Sequence, residues 1–177
     1  MRRIAATLAV ITTIVTAAVT GAVPALASRD ARAGSTTTFY LSLGDSLAQG
    51  VQPNSKGVSV ETNAGYPNQL ATALRQTNPS LRLVKLGCPG ETTATMLNGG
   101  ICTYAAGSQV AQAVKFLKQH AAQTQLVTID IGANDLNKCV ALPTLAQIAK
   151  CLGKVIPNTV TTNYTTTVEQ FNVLPPD

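Results

Sequence analysis

Short β-favouring apolar runs alternate along the chain with segments whose apolar residues recur at helical spacing. The apolar runs predict three strands, at residues 38–43, 81–86 and 126–131. The spacing of apolar residues predicts three main helices, beginning near Tyr66 and spanning about 108–121 and 142–152. Strands that alternate with helices are typical of a parallel sheet covered by helices, so the pattern predicts an α/β domain.

Two further segments carry weaker patterns. Residues 51–65 contain Pro53, Asn54 and Gly57, and this composition predicts a loop beside the end of the first strand. Residues 159–168 are rich in threonine and valine, and their pattern leaves open a poor helix or an irregular strand.

Each predicted strand runs into a glycine and then a polar group. The three blocks are Gly44-Asp45-Ser46-Leu47, Gly87-Cys88-Pro89-Gly90 and Gly132-Ala133-Asn134-Asp135. The carboxyl ends of parallel strands meet at one edge of a sheet, where open α/β proteins bind ligands. We therefore expect Ser46, Gly90 and Asn134 to lie together at that edge.

These residue types match the needs of acyl transfer, which requires a nucleophile, a base and donors for the oxyanion. Ser46 is the candidate nucleophile. The backbone N–H groups of Ser46 and Gly90 and the side-chain amide of Asn134 are the candidate donors. Taken singly, Gly90 is more typical of a turn, and Asn134 of a helix N-cap; together, at matching strand ends, they favour a site.

The start of the chain predicts export. Arg2 and Arg3 precede an uncharged apolar run, and Ala25-Leu26-Ala27 fits a small-x-small cleavage site. We predict a signal peptide at 1–27 and a flexible mature N-terminus at 28–37. A single domain follows at 38–177. The alternative for the first segment is a transmembrane anchor.

The composition after the predicted leader limits the possible partners of the protein. Removing Arg2 and Arg3 with the leader lowers the net charge of the 177-residue chain from +5 to +3, and only 4% of residues are aromatic. A scattered, mild charge of this kind predicts no nucleic-acid partner. We expect a secreted monomer with no stable membrane span after cleavage.

Four cysteines follow the predicted leader, and an even number in an exported protein indicates two disulfides. Three pairings are open. We favour Cys88–Cys102 with Cys139–Cys151, because each pair closes a short local loop. A zinc site is the rival interpretation, but the sequence contains no C-x-x-C pair.

With these three blocks in order, the chain resembles the SGNH/GDSL hydrolase family of secreted bacterial esterases and lipases from about Phe39 to Leu152. The resemblance implies a three-layer α/β/α flavodoxin-like fold. It implies Ser46 as nucleophile, with Gly90 and Asn134 in the oxyanion hole, and Asp45 as a residue that orients the turn. It also implies a small-molecule, lipid or acetylated-sugar ester as substrate, with no cofactor and no metal.

The chain departs from this family at the base, which the family carries in a C-terminal Asp-x-x-His block. The one histidine of this sequence, His120, precedes the third predicted strand and therefore belongs to the opposite edge of the sheet. We interpret the sequence as a C-terminally incomplete copy whose last strands are missing and whose activity is impaired. The alternative is a non-catalytic exported binding protein on the same scaffold.

Overall fold

The structure is a computed structural model that describes residues 36–172. The signal peptide predicted at 1–27 lies outside these residues, as does most of the segment 28–37 that was predicted to be flexible. Within the described part of the chain, no helix combines the length and the apolar character needed to cross a bilayer.

Strands and helices alternate along the described residues much as the pattern predicts. The strands are β1 (Thr38–Gly44), β2 (Val51–Pro53), β3 (Ser59–Glu61), β4 (Leu81–Lys85) and β5 (Thr124–Asp130). The helices are α1 (Ser46–Gln49), α2 (Tyr66–Leu74), α3 (Thr93–Asn98), α4 (Gln109–His120), α5 (Asn137–Val140), α6 (Leu145–Val155) and α7 (Thr162–Asn172).

The central sheet has the order β4-β1-β5, and both pairings are parallel. Strand β1 is therefore central and must bury both faces. Its residues accordingly read as a near-continuous apolar run, from Tyr40 to Leu43, with only Ser42 polar. The order of the three strands matches the flavodoxin-like arrangement predicted from the sequence.

Helices cover both faces of this sheet and form three layers. On one face, Tyr40 packs with Ala71 of α2 and with Leu81. On the other face, Leu41 and Leu43 pack into a larger cluster with residues of α3 and α4, and Phe171 of α7 lies against it. The buried members contributed by α3 and α4 are Met96, Val110, Ala113 and Leu117. The α/β/α architecture predicted from the sequence is thus confirmed.

The segment after α1 differs from the expected loop. Strands β2 and β3 pair as an antiparallel hairpin, with Gln52 opposite Val60. The turn between them is held by Asn54, whose side-chain oxygen accepts hydrogen bonds from the backbone N–H groups of Lys56 and Val58. Asparagine favours such turns because its side chain mimics a backbone acceptor.

The threonine-rich segment with an undecided pattern is helical. A wide π-type turn at Ile156–Thr161 leads into α7. The Thr167 hydroxyl donates to the carbonyl oxygen of Asn163, one turn earlier, at 2.9 Å. This bond satisfies a hydroxyl that is buried within the helix. The β-branched residues have low helix propensity, and tertiary packing overrides it.

Two disulfides link residues close in sequence. They join Cys88 to Cys102 and Cys139 to Cys151, the sequential pairs favoured above. The first ties the loop after β4 to the loop before α4, and the second ties α5 to α6. Both therefore constrain segments that leave the carboxyl edge of the sheet.

Candidate active site

The turn from β1 into α1 places Ser46 at the carboxyl edge of the sheet. The Asp45 N–H donates to the carbonyl oxygen of Asp130 at 3.1 Å, which anchors the turn to the end of β5. The Asp45 carboxylate accepts a hydrogen bond from the N–H of Leu47 at 3.0 Å and caps α1. Ser46 is the first residue of α1 and is half-buried. The side chain of Asp45 thus orients the turn.

The loop after β4 packs directly on this turn. The N–H of Cys88 donates to the carbonyl oxygen of Gly44 at 3.0 Å. At Gly87, a Cβ would lie 2.7 Å from the backbone nitrogen of Gln49, so only glycine lets the two backbones approach this closely. The second block therefore continues the wall of the site that the first block begins.

Gly90 and Glu91 complete this loop in contrasting environments. Gly90 is exposed, and a Cβ built on it would meet no heavy atom within 4 Å. The side chain of Glu91 is 1% exposed, and one of its carboxylate oxygens, Oε1, has no hydrogen-bond partner among the described residues. The loop thus presents open backbone at Gly90 and anchors itself through Glu91.

The side chain of Asn134 joins the third block to the other two. Its Nδ2 donates to the carbonyl oxygen of Glu91 at 2.8 Å and lies 3.5 Å from Oδ2 of Asp45. Its Oδ1 accepts from the side-chain amide of Asn137 at 3.2 Å. Because these partners fix the orientation of the amide, its nitrogen faces the first and second blocks. The amide makes no N-cap bond, so the alternative of a helix cap is wrong.

Asp135 attaches the third block to the start of α3. Its carboxylate is nearly fully buried and accepts hydrogen bonds from the N–H of Thr93 at 2.9 Å and from the Thr93 hydroxyl at 2.6 Å. Bonds from a backbone N–H and a hydroxyl to an ionised carboxylate are among the stronger ones in proteins. Asp135 therefore fixes its neighbour Asn134 relative to the second block.

Two carboxyl groups near the site have altered acidity. Burial raises the pKa of the Glu91 carboxyl. Burial also raises the pKa of Asp130, and the nearby negative charge of Asp45 raises it further. Both shifts follow from the cost of a negative charge that is removed from water or placed beside another.

His120 lies at the other edge of the sheet, as its sequence position predicts. It is the last residue of α4, and its ring packs against Phe39 at 4.8 Å and Phe116 at 4.7 Å between centroids. Phe39 is the second residue of strand β1, whereas Ser46 lies two residues beyond its last residue, Gly44. Seven residues of extended chain span roughly 20 Å, so His120 is out of reach of Ser46.

A cavity of about 360 Å³ opens beside Asn134. Its walls come from the start of α3, from α5 and from the turn before α7, and its lining includes Thr92, Lys138, Val155 and Thr159. The cavity is large enough for a small ligand group. Asn134 is the predicted site residue that lines it.

Sequence reasoning missed Gln109, which is fully buried and bonds to the turn that carries Ser46. The available signal was its spacing, because Gln109 lies four residues before Ala113 on the apolar face of the predicted helix. That spacing indicates burial of Gln109. The partner of its side chain is Gly44, far away in sequence, and no local pattern points to it.

The strand order, the covering helices and the three blocks at one sheet edge define an α/β protein of the SGNH-hydrolase architecture. Residues 42–176 match the sequence profile of the GDSL-like Lipase/Acylhydrolase family. The chain belongs to this family. A comparison with curated proteins found no match.

Solved structures of similar fold are esterases and lipases. The extracellular lipase from Streptomyces rimosus is 23% identical, with a TM-score of 0.51 over 79% of this chain and 56% of that one. Phospholipase A1 from Streptomyces albidoflavus is 21% identical over 79% and 56% of the two chains, with a TM-score of 0.48. The aryl esterase of M. smegmatis is 20% identical over 76% and 54%, also at 0.48. The chain thus spans little more than half the length of these proteins.

Proposed function

We propose that this chain carries the nucleophile and oxyanion hole of a serine ester hydrolase. Ser46 Oγ attacks the carbonyl carbon of an ester while its proton passes to a base. The N–H groups of Ser46 and Gly90 and the amide of Asn134 donate to the oxyanion. The bond between the carbonyl carbon and the alkoxy oxygen then breaks, and the alcohol leaves with the proton. Water hydrolyses the acyl-Ser46 intermediate and releases the acid.

The placement of the Asn134 amide carries this proposal. Its nitrogen has two hydrogens, of which one is directed to the carbonyl oxygen of Glu91 at 2.8 Å. The other has only the long 3.5 Å contact with Asp45, so it is available to a substrate oxygen. One such donor typically contributes about 3–4 kcal/mol to transition-state stabilisation. The cavity beside Asn134 supports binding of the acyl or alcohol group there.

The 177 residues supply no histidine to activate Ser46, because the one histidine, His120, lies at the opposite edge of the sheet. We therefore propose that the chain by itself hydrolyses esters slowly. Enzymes that lose a member of a catalytic triad retain roughly 10³–10⁴-fold acceleration over water from the oxyanion hole and binding. A rate in that range is the expectation for this chain.

Hydrolysis of p-nitrophenyl acetate tests the proposal, with imidazole added as an external base. We expect a slow rate that rises with imidazole, a mass increase of one acetyl group on Ser46, and loss of both in Ser46→Ala. A fast rate without imidazole would contradict the proposed impairment. A rate equal in wild type and Ser46→Ala, with no acetyl-Ser46, would contradict the esterase function.

A second candidate function is binding without turnover at the same sheet edge. The distance of His120 from Ser46 favours it, because ligand binding needs no base. Equilibrium binding of a non-hydrolysable ester analogue, weakened by Asn134→Ala and without acetylation of Ser46, would support this alternative over the first.

We further propose that the protein is exported as a monomer and cleaved after Ala27. Two disulfides in one small domain support an oxidising compartment. The mass of the protein recovered from culture medium tests the cleavage site, and sedimentation tests the oligomeric state. Intracellular retention of the full chain, or a dimer, would contradict the respective proposal.

A further inference from the structure

A single buried amide holds the backbone of the nucleophile turn. Gln109 is the first residue of α4, and its side chain is fully buried. Its Oε1 accepts a hydrogen bond from the N–H of Gly44 at 2.7 Å. Its Nε2 donates to the carbonyl oxygen of the same residue at 3.0 Å. One side chain therefore bonds both backbone groups of the residue that ends β1, whose carbonyl oxygen also accepts from the N–H of Cys88.

Gly44 needs this partner because the sheet does not pair it on both sides. The ladder between β1 and β4 ends at the pair of Ser42 with Lys85. On the β5 side, Gly44 is aligned with Asp130 and the chain then leaves the sheet with a φ of +136° at Gly44. A buried N–H without a partner is costly, and Gln109 supplies that partner.

The same amide also reaches the second block. Its Nε2 lies 3.0 Å from the hydroxyl of Tyr104 and 3.4 Å from Oε2 of Glu91. The carbonyl oxygen of Glu91 in turn accepts from Asn134. Gln109 and Asn134 thus both contact Glu91, Gln109 at the carboxylate and Asn134 at the backbone carbonyl oxygen.

We infer that Gln109 is a positioning residue that sets Ser46 relative to Asn134. The inference rests on the proposed function for its effect on rate, and on the contacts of Gln109 for its effect on the turn. A displacement of about 1 Å between reacting groups can lower a rate roughly 100-fold. Loss of the clamp on Gly44 should therefore slow acylation of Ser46 more than it weakens binding.

Two substitutions separate positioning from general stability. Gln109→Met keeps the length of the side chain and removes both hydrogen-bonding atoms. Gln109→Glu keeps the shape and the acceptor for the Gly44 N–H, but when ionised it loses the donor to the Gly44 carbonyl. The control is Gln119→Met on the same helix, because Gln119 is exposed and distant from the turn.

The first readout is the rate of Ser46 acetylation by p-nitrophenyl acetate at fixed imidazole, relative to wild type at each pH. We expect Gln109→Met to lower the maximal rate about tenfold or more, with KM changed less than twofold, and Gln119→Met to match wild type. Gln109→Glu should be slow at pH 8 and recover towards wild type as its carboxyl gains a proton, which restores a donor. The titratable groups in contact with this position are Glu91 and Tyr104.

The second readout is amide hydrogen exchange, which needs no chemistry at Ser46. We expect Gln109→Met to speed exchange at Gly44 and Ser46 about tenfold, with the centre of α4 unchanged. Unchanged exchange at both amides would overturn the inference. So would acetylation rates of both variants within twofold of wild type at pH 8. If wild type forms no acetyl-Ser46, the proposed function fails, and exchange alone then decides the inference.

Discussion

Replacing Gly44 by alanine tests whether the turn before Ser46 depends on a residue without a side chain. Gly44 adopts a φ of +136°, which L-residues with a Cβ rarely adopt. A Cβ at this position would lie 2.0 Å from the carbonyl oxygen of Asp130 and 3.1 Å from Cβ of Ala48. The alanine side chain therefore cannot be accommodated unless the backbone of β5 moves.

The cost combines three contributions. The unfavourable φ contributes about 1–3 kcal/mol, and crowding in a packed region about 1–3 kcal/mol. Displacing the Asp130 carbonyl also weakens its hydrogen bond with the N–H of Asp45, worth about 1 kcal/mol. Together these predict a loss of about 3–7 kcal/mol, a large part of the roughly 5–15 kcal/mol that stabilises a typical domain.

Urea unfolding followed by circular dichroism measures this loss. With a slope of about 2 kcal/mol per molar urea, we expect the midpoint to fall by about 1.5–3.5 M. The control is Gly57→Ala, because Gly57 also has a positive φ, +75°, but no atom within 4 Å of the added Cβ. That change should cost only about 1 kcal/mol. Equal losses in the two variants would refute the argument from close approach.

Three other changes probe features away from this turn. Burial raises the folded-state pKa of the Glu91 carboxyl. The protonated carboxyl therefore contributes stability below the unfolded-state pKa, and this contribution is lost as pH rises through the folded-state pKa. The Glu91→Gln variant should therefore gain stability relative to wild type as pH rises above about 4, and a difference that stays constant with pH would contradict this. Replacing Cys139 and Cys151 by serine removes a disulfide between residues 12 positions apart, and should lower the free energy of unfolding by about 3 kcal/mol in urea unfolding. An unchanged midpoint would contradict this expectation. His120→Ala should leave the imidazole-dependent rate within twofold of wild type, and a tenfold loss would show that the histidine acts at the site.

The sequence predicted the sheet well because the signals for it are local. Each parallel strand is a short apolar run that ends at a glycine, so both the strands and their common edge followed from the pattern. The shared edge of Ser46 and Asn134 followed in the same way, since the carboxyl ends of parallel strands meet. Helices α2, α4 and α6 followed from apolar spacing alone.

The remaining features depend on contacts between residues distant in sequence. The hydrogen bonds of Gln109 to Gly44 join residues 65 positions apart, and no local pattern encodes them. The sequence left α7 undecided between a helix and a strand, because Asn163 and Thr167 gain their partners only through packing and back-bonding. The hairpin at 51–61 was missed because its strands are three residues long, too short for a clear alternation.

The central place of β1 has a consequence for how the protein folds. Tyr40 pairs with Leu83 on one side and with Leu126 on the other, about 40 and about 85 residues further along the chain. The strand that leads to Ser46 is made early by the ribosome, yet it has no partner until much of the chain has followed. Loop-closure entropy must be overcome before these pairings form, which predicts slow folding with a high contact order. Asp130 closes the turn before Ser46, so that turn cannot be completed before β5 has joined the sheet.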